Sequence, residues 1–167
     1  MRAAVVTVSD RSFRGERPDV SGPVLKQLLE EAGADVAETL VVPDDPAVIA
    51  RALIKLTDEV RCELVFTTGG TVLSPRDTTP EATRQVIEKE LLGMELAIHQ
   101  ESVGKTPFAM LSRGMVGVRG QTLILNFPGS PKAVKECFAV VEPVLAHAVK
   151  LLRDEDPYQH PVAPCPR

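Results

Sequence analysis

The sequence predicts an α/β domain, a three-layer α/β/α sandwich with a mostly parallel central sheet. Three observations carry this expectation. Short apolar runs alternate with longer amphipathic segments along most of the 167 residues, the pattern of parallel strands covered on both faces by helices. Helix starts repeat one grammar, a hydroxyl or carboxylate residue followed by proline, at Asp45-Pro46, Thr79-Pro80 and Ser130-Pro131. The loops between these segments are rich in Gly, Pro, Asp, Ser and Thr, as ligand-binding loops at the carboxyl ends of strands are.

Residues 3–8, AAVVTV, read as the first buried strand, and a polar loop DRSFRGERPDVSG follows. Ser21 is the expected N-cap of a helix that places Val24, Leu25, Leu28, Leu29 and Ala32 on one side and stops at Gly33. Residues 35–42 form a second strand. Asp45 caps the next helix, with Pro46 in its first turn and Ile49, Leu53, Leu56 and Val60 in register. Residues 63–68, ELVFTT, form a short strand that runs into Gly69-Gly70. Thr79 is the expected cap of the helix after that loop.

Leu92, Leu96 and His99 share a helical face, broken at residues 104–107, and MLSRG closes a second short segment. Residues 115–118 and 122–126 form two strands joined by a turn at Arg119-Gly120. Ser130 caps the last helix, whose buried side is Val134, Phe138, Val141, Leu145, Ala148 and Leu152. One domain is expected over residues 1–153, with a Pro-rich tail over 154–167.

Composition narrows the function. Hydrophobic residues make up 44% of the chain, enough for a core. A formal net charge of -4, no Trp and only 4% aromatics argue against a nucleic-acid surface, which needs excess cations and stacking rings. No apolar run reaches the roughly 20 residues of a membrane span, and a signal-peptide layout is lacking, so a cytoplasmic address is expected. Cys62, Cys137 and Cys165 are far apart, and His99, His147 and His160 are scattered, so no zinc site or disulfide framework is indicated. Cys62 and Cys137 read as core thiols.

The stretch TTGGTVLSPRDTTPEA, from residue 67, is the most informative. Gly69 and Gly70 let the backbone turn tightly and approach a ligand, and their amides with the hydroxyls of Thr67, Thr68 and Thr71 can hold phosphate oxygens. It is neither a P-loop nor a GxGxxG loop, and a plain turn is the competing reading. Asp77 can serve a local Asx turn or hold a divalent cation beside a polyphosphate. Arg76 can stabilise phosphate charge or face water. Asp45 is accounted for by capping, which leaves Asp44 as the functional candidate of the pair. Gly129 and Ser130 open a helix N-terminus that favours anions, with Lys132 in its first turn. The first loop adds Ser9, Asp10, Arg11, Arg14 and Arg17.

These loops resemble those of the MogA/MoaB family of molybdenum cofactor biosynthesis. The marks are VSDR with the downstream SGP, then VPDD, TTGGTVLSPRDTTPEA, MLSRG and NFPGSP, in the family's order over residues 3–152. The resemblance implies transfer of AMP from Mg-ATP to the terminal phosphate of molybdopterin, with release of pyrophosphate. It implies that Asp44 and Asp77 hold Mg²⁺ and serve catalysis, and that Thr68, Gly69, Gly70 and Thr71 contact the nucleotide. The pterin and phosphate side would draw on Ser9, Asp10, Ser21, Gly22, Ser112, Asn126, Pro128, Gly129 and Ser130. A homo-oligomer is implied, a trimer or in some members a hexamer, with product handed to a molybdate-insertion protein.

The family's usual TTGGTG reads TTGGTV here, so Val72 stands where glycine is expected. A β-branched residue resists positive φ and adds bulk beside a nucleotide. A backbone that needs glycine at that point would alter or abolish ATP binding. Two other readings stay open: a non-catalytic molybdopterin-binding or assembly protein of the same fold, and an unrelated nucleotide- or flavin-binding α/β domain.

Overall fold

The computed structural model describes residues 1–155. Six strands form one sheet: β1 (Arg2–Val8), β2 (Asp35–Val42), β3 (Leu64–Thr68), β4 (Lys89–Glu90), β5 (Val116–Arg119) and β6 (Thr122–Phe127). Their order is β2-β1-β3-β6-β5-β4. The first four in that order are mutually parallel; β5 and β4 add on antiparallel at one edge.

Six α-helices accompany the sheet: α1 (Asp10–Phe13), α2 (Ser21–Glu31), α3 (Pro46–Ile54), α4 (Thr79–Val86), α5 (Leu92–Lys105) and α6 (Pro131–Leu152). A π-helical turn at Lys55–Glu59 extends α3, and a 3₁₀ turn at Pro107–Leu111 follows α5. The two-residue period of β1 divides the core. Ala3 and Val5 face one cluster with Leu25 and Leu29 of α2, Ile98 of α5, and Val134, Phe138 and Val141 of α6. Ala4, Val6 and Val8 face the other with Ile49 and Leu53 of α3 and Ala82 and Val86 of α4. The result is the three-layer sandwich expected from the sequence. Cys62 and Cys137 are buried, as the reading of core thiols requires.

Several local details differ from the sequence reading. The first loop contains the one-turn helix α1, capped by Ser9, whose hydroxyl accepts from the amide of Ser12 at 3.2 Å. Ser21 lies inside α2 rather than at its cap. Asp19 does the capping, accepting the Gly22 amide at 3.0 Å and, with its other oxygen, the Thr7 hydroxyl at 2.7 Å. Thr79 is likewise inside α4; its hydroxyl donates to the Gly69 carbonyl at 3.0 Å. Leu92 and Leu96, read as part of a helical face, are exposed, and Ile98 is the buried residue of α5. The short strand β4 was not predicted, because two residues carry no period. The tail beyond residue 155 lies outside the described residues.

Candidate active site

The carboxyl ends of β2, β1, β3 and β6 lie side by side, so the loops leaving them meet on one edge. Backbone hydrogen bonds tie these loops together: the Ser9 amide donates to Val42 at 2.9 Å and the Gly69 amide to Phe127 at 3.1 Å. The Thr68 hydroxyl donates to the Pro128 carbonyl at 2.8 Å.

Gly69 and Gly70 turn the chain at the centre of this edge. Both have positive φ, 99° and 64°, where a side chain is strained. A Cβ on Gly69 would lie 2.4 Å from the Val8 carbonyl oxygen, and one on Gly70 2.3 Å from the Thr79 hydroxyl and 3.2 Å from Asp44 Oδ1. Glycine is therefore needed at both positions for close approach as well as for φ.

The turn separates two differently built halves. On one side is a cleft of about 140 Å³ lined by Ser9, Arg17, Ser21, Thr68, Gly69 and Gly129, among others. Hydroxyls and backbone make up most of its lining, with Arg17 as a cation and Asp19, engaged by the Gly22 amide and the Thr7 hydroxyl, as a carboxylate, and the N-terminus of α2 opens on it. Gly22 lies beneath, packed so tightly against Asp19 and Thr7 that a Cβ would come within 2.4 Å of either.

On the other side are carboxylates. Asp10 and Asp44 grip each other's backbone: the Asp10 amide donates to Asp44 Oδ2 at 2.8 Å, and the Asp44 amide to Asp10 Oδ1 at 3.1 Å. Arg76 Nε lies 2.5 Å from Asp10 Oδ2 and Arg76 Nη2 is 3.4 Å from the Asp44 carbonyl oxygen. The Arg76 hydrogen bond holds the Asp10 carboxyl below its ordinary value. Burial pushes the Asp44 carboxyl up, and the negative charges of Asp10 and Asp77 add to that, against the Asp10 amide and the Arg76 charge. Asp77 Oδ2 accepts from the Ser74 amide at 3.1 Å. Asp45 caps α3, accepting from the amides of Ala47 and Val48, so Asp44 is the one turned to the site.

The structure sorts the sequence candidates. Ser9, Ser21, Thr68, Gly69 and Gly129 share the cleft. Asp10, which the resemblance assigns to the pterin side, is bonded to Asp44, next to Gly70. Thr71 is buried and Thr78 half-buried; the hydroxyl of each is shielded and has no hydrogen-bond partner among the described residues. Asn126 is buried below the surface, its amide donating to the hydroxyls of Thr67 and Thr83, both at 3.0 Å. Ser130 caps α6 by accepting from the Ala133 amide at 3.2 Å. Ser112 ends the 3₁₀ turn, next to Arg113, whose amide reaches Thr71. Val72 does not have positive φ, so the expected backbone conflict does not arise, and its side chain is 43% exposed.

Two residues escaped the sequence reading. Arg113 binds both ends of the glycine-rich loop, and Asp19 joins β1 to α2. The RG of MLSRG was a signal for the first; the second had none beyond its place two residues before Ser21.

Residues 4–147 match the family model described as "Probable molybdopterin binding domain". The chain is 46% identical over 152 residues to the Drosophila melanogaster molybdenum cofactor synthesis protein cinnamon, covering 90% of this chain but spanning only 25% of that protein. It is 39% identical over 150 residues to a molybdopterin adenylyltransferase of Helicobacter pylori, covering 89% of this chain and 85% of that one. Among solved structures, the molybdopterin biosynthesis enzyme MoaB of Thermus thermophilus superposes with a TM-score of 0.87 at 44% identity, over 95% of this chain and 99% of that one. The chain belongs to the MogA/MoaB family of molybdenum cofactor biosynthesis.

Proposed function

We propose that this protein transfers AMP from Mg-ATP to the terminal phosphate of molybdopterin. A phosphate oxygen of molybdopterin forms the new bond to the ATP α-phosphorus as the bond to the bridging oxygen breaks, and pyrophosphate leaves with the electron pair. No strong general base is required, because a phosphate monoester is already anionic near neutral pH. The chain's work is positioning and electrostatics.

The observation that carries this reading is the Gly69–Gly70 turn with its two unlike flanks. The cleft of hydroxyls, backbone and Arg17, whose one carboxylate, Asp19, is engaged at both oxygens, suits the molybdopterin phosphate. The carboxylate side suits Mg²⁺: Asp44 is half-buried and feels the negative charges of Asp10 and Asp77, a charge arrangement that a cation relieves. Asp44 and Asp77 each engage one oxygen with a backbone amide. Magnesium is commonly held by one or two carboxylates plus substrate phosphates, so these two residues are the ones that would hold it. Bound there, the ion neutralises charge on the polyphosphate and the departing pyrophosphate. The shielded Thr71 and Thr78 hydroxyls, without a partner among the described residues, belong to the same loop as Asp77.

Assembly as a homotrimer, or a hexamer, is part of the same proposal. Exposed apolar side chains of α5 and the following turn, Leu92, Leu96, Phe108 and Met110, support it. Among the described residues no helix is long and apolar enough to cross a membrane; a cytoplasmic site of action and handover to a molybdate-insertion protein complete the proposal.

The test is a single assay with purified protein, molybdopterin, ATP and Mg²⁺, following pyrophosphate and the adenylylated product. Molybdopterin binding without Mg²⁺-dependent AMP transfer would select a non-catalytic binding or assembly role instead.

A further inference from the structure

Arg76 is bound more loosely than the residue it pairs with. Asp10 is fixed at both carboxylate oxygens and through its backbone: Oδ1 takes the Asp44 amide, Oδ2 takes Arg76, and its own amide is held by Asp44. Its side chain is 17% exposed. The Arg76 side chain is 63% exposed and arises from the loop between Gly70 and α4. Its Nε lies against Asp10 Oδ2, with a longer contact from Nη2 to the Asp44 carbonyl. With its Arg76 end in solvent, a pair of this kind is held weakly, and a guanidinium engaged through Nε and Nη2 keeps its Nη1 donors for a further acceptor.

Charge points the same way. The charges of Asp10 and Asp77 both act on Asp44, and Arg76 is the cation that acts on it. It lies next in sequence to Asp77. A polyphosphate brought to this side offers paired oxygens, which match the guanidinium fork better than the single Asp10 contact.

We propose that Arg76 is a substrate-binding residue that exchanges Asp10 for the pyrophosphate end of the nucleotide. Asp10 is the holding partner that keeps the cation at the site, and its hold opposes nucleotide binding. This inference rests on the nucleotide side assigned above.

Calorimetric titration of the full chain with Mg-ATP tests it, using the wild type, Arg76→Ala, Asp10→Asn and the double variant, each checked for an unchanged thermal transition. Arg76→Ala weakens Mg-ATP binding by about ten- to hundredfold, the loss of a charged hydrogen-bonding group. Asp10→Asn keeps a side-chain oxygen for the Asp44 amide, releases Arg76 and tightens binding several-fold. In the Arg76→Ala background, Asp10→Asn loses that tightening. Inorganic pyrophosphate with Mg²⁺ follows the same order. Unchanged Mg-ATP affinity in Arg76→Ala overturns the exchange and leaves the adenylylation reading standing. An Asp10→Asn effect that is the same with and without Arg76 overturns it too. Failure of the wild type to bind Mg-ATP overturns both.

Discussion

Arg113 Nη2 donates to the backbone carbonyl of Asp77 at 2.6 Å, although 36 residues separate the two. The same guanidinium donates from Nε to the Val72 carbonyl at 2.7 Å and pairs through Nη1 with Glu81. The Arg113 amide donates to Thr71 at 2.8 Å. One residue thus ties the start of the loop, its end and the first turn of α4. The Asp77 carboxylate is placed by a backbone that Arg113 holds.

Arg113→Ala removes the three side-chain anchors and leaves the backbone contact. The expected outcome is a rise of about tenfold in the dissociation constant for Mg-ATP, with molybdopterin affinity little changed. Faster proteolytic cleavage between residues 72 and 77 should accompany it. Lysine can restore one anchor but not the fork, so Arg113→Lys should recover only part of the loss. Equal weakening of both ligands would show that Arg113 supports the whole domain.

Asp77 has a structural role besides the chemical one proposed for it, since Oδ2 accepts the Ser74 amide. Asp77→Asn keeps an oxygen for that turn and removes the charge. Turnover should fall by at least about a hundredfold, the scale of losing a main electrostatic group, while molybdopterin binding persists. Full AMP transfer by Asp77→Asn at saturating Mg-ATP would remove Asp77 from the chemistry.

Asp44 gives the site a pH signature. Burial and the charges of Asp10 and Asp77 raise its carboxyl above the ordinary 3.8. A raised acid binds its proton more readily in the folded state, so this group adds stability as pH falls through its folded value. Magnesium needs the ionised form, so Mg²⁺ affinity should decline with acid earlier than an ordinary aspartate would allow. Arg76→Ala removes a charge that lowers Asp44 and should move the decline to higher pH. Mg²⁺ titrations across pH 4–7, a range of about three units around carboxylate values, would check both directions.

The layers and the meeting of the loops were legible because they rest on periodicity and on strand ends. Asp45 was legible as a cap from its proline, and this singled out Asp44. The cap of α2 was not, because Ser21 and Asp19 are both good capping residues and only the Thr7 hydroxyl decides between them. The grouping of Asp10 with Asp44 could not be read either, since it depends on the ends of β1 and β2 lying side by side. Leu92 and Leu96 show the limit of periodicity: it finds an apolar face without saying what covers it.

Gly69 and residue 72 make opposite predictions from the same loop. Gly69 has φ 99°, and a Cβ there would strike the Val8 carbonyl. Gly69→Ala should cost at least about 2 kcal/mol of stability and disturb both halves of the site. Val72 avoids the left-handed region and keeps a half-exposed side chain. Val72→Gly should therefore change AMP transfer by less than about threefold and cost about 0.5–1 kcal/mol through added freedom of the unfolded chain. A large gain in activity on Val72→Gly would mean that the side chain obstructs the nucleotide.

Asn126 separates a ligand role from a supporting one. The resemblance sets it among the pterin-side residues, yet its amide is buried and donates to Thr67 and Thr83, joining β3, β6 and α4 under the glycine turn. Asn126→Ala leaves two buried hydroxyls without that donor, at a cost of about 2 kcal/mol. Thermal stability should drop, while molybdopterin affinity, measured well below the transition, stays within about threefold, less than the loss of one hydrogen bond to a charged ligand. The opposite pattern, an unchanged transition with lost molybdopterin binding, would return Asn126 to the ligand and require the Thr67–Asn126–Thr83 contacts to open when substrate binds.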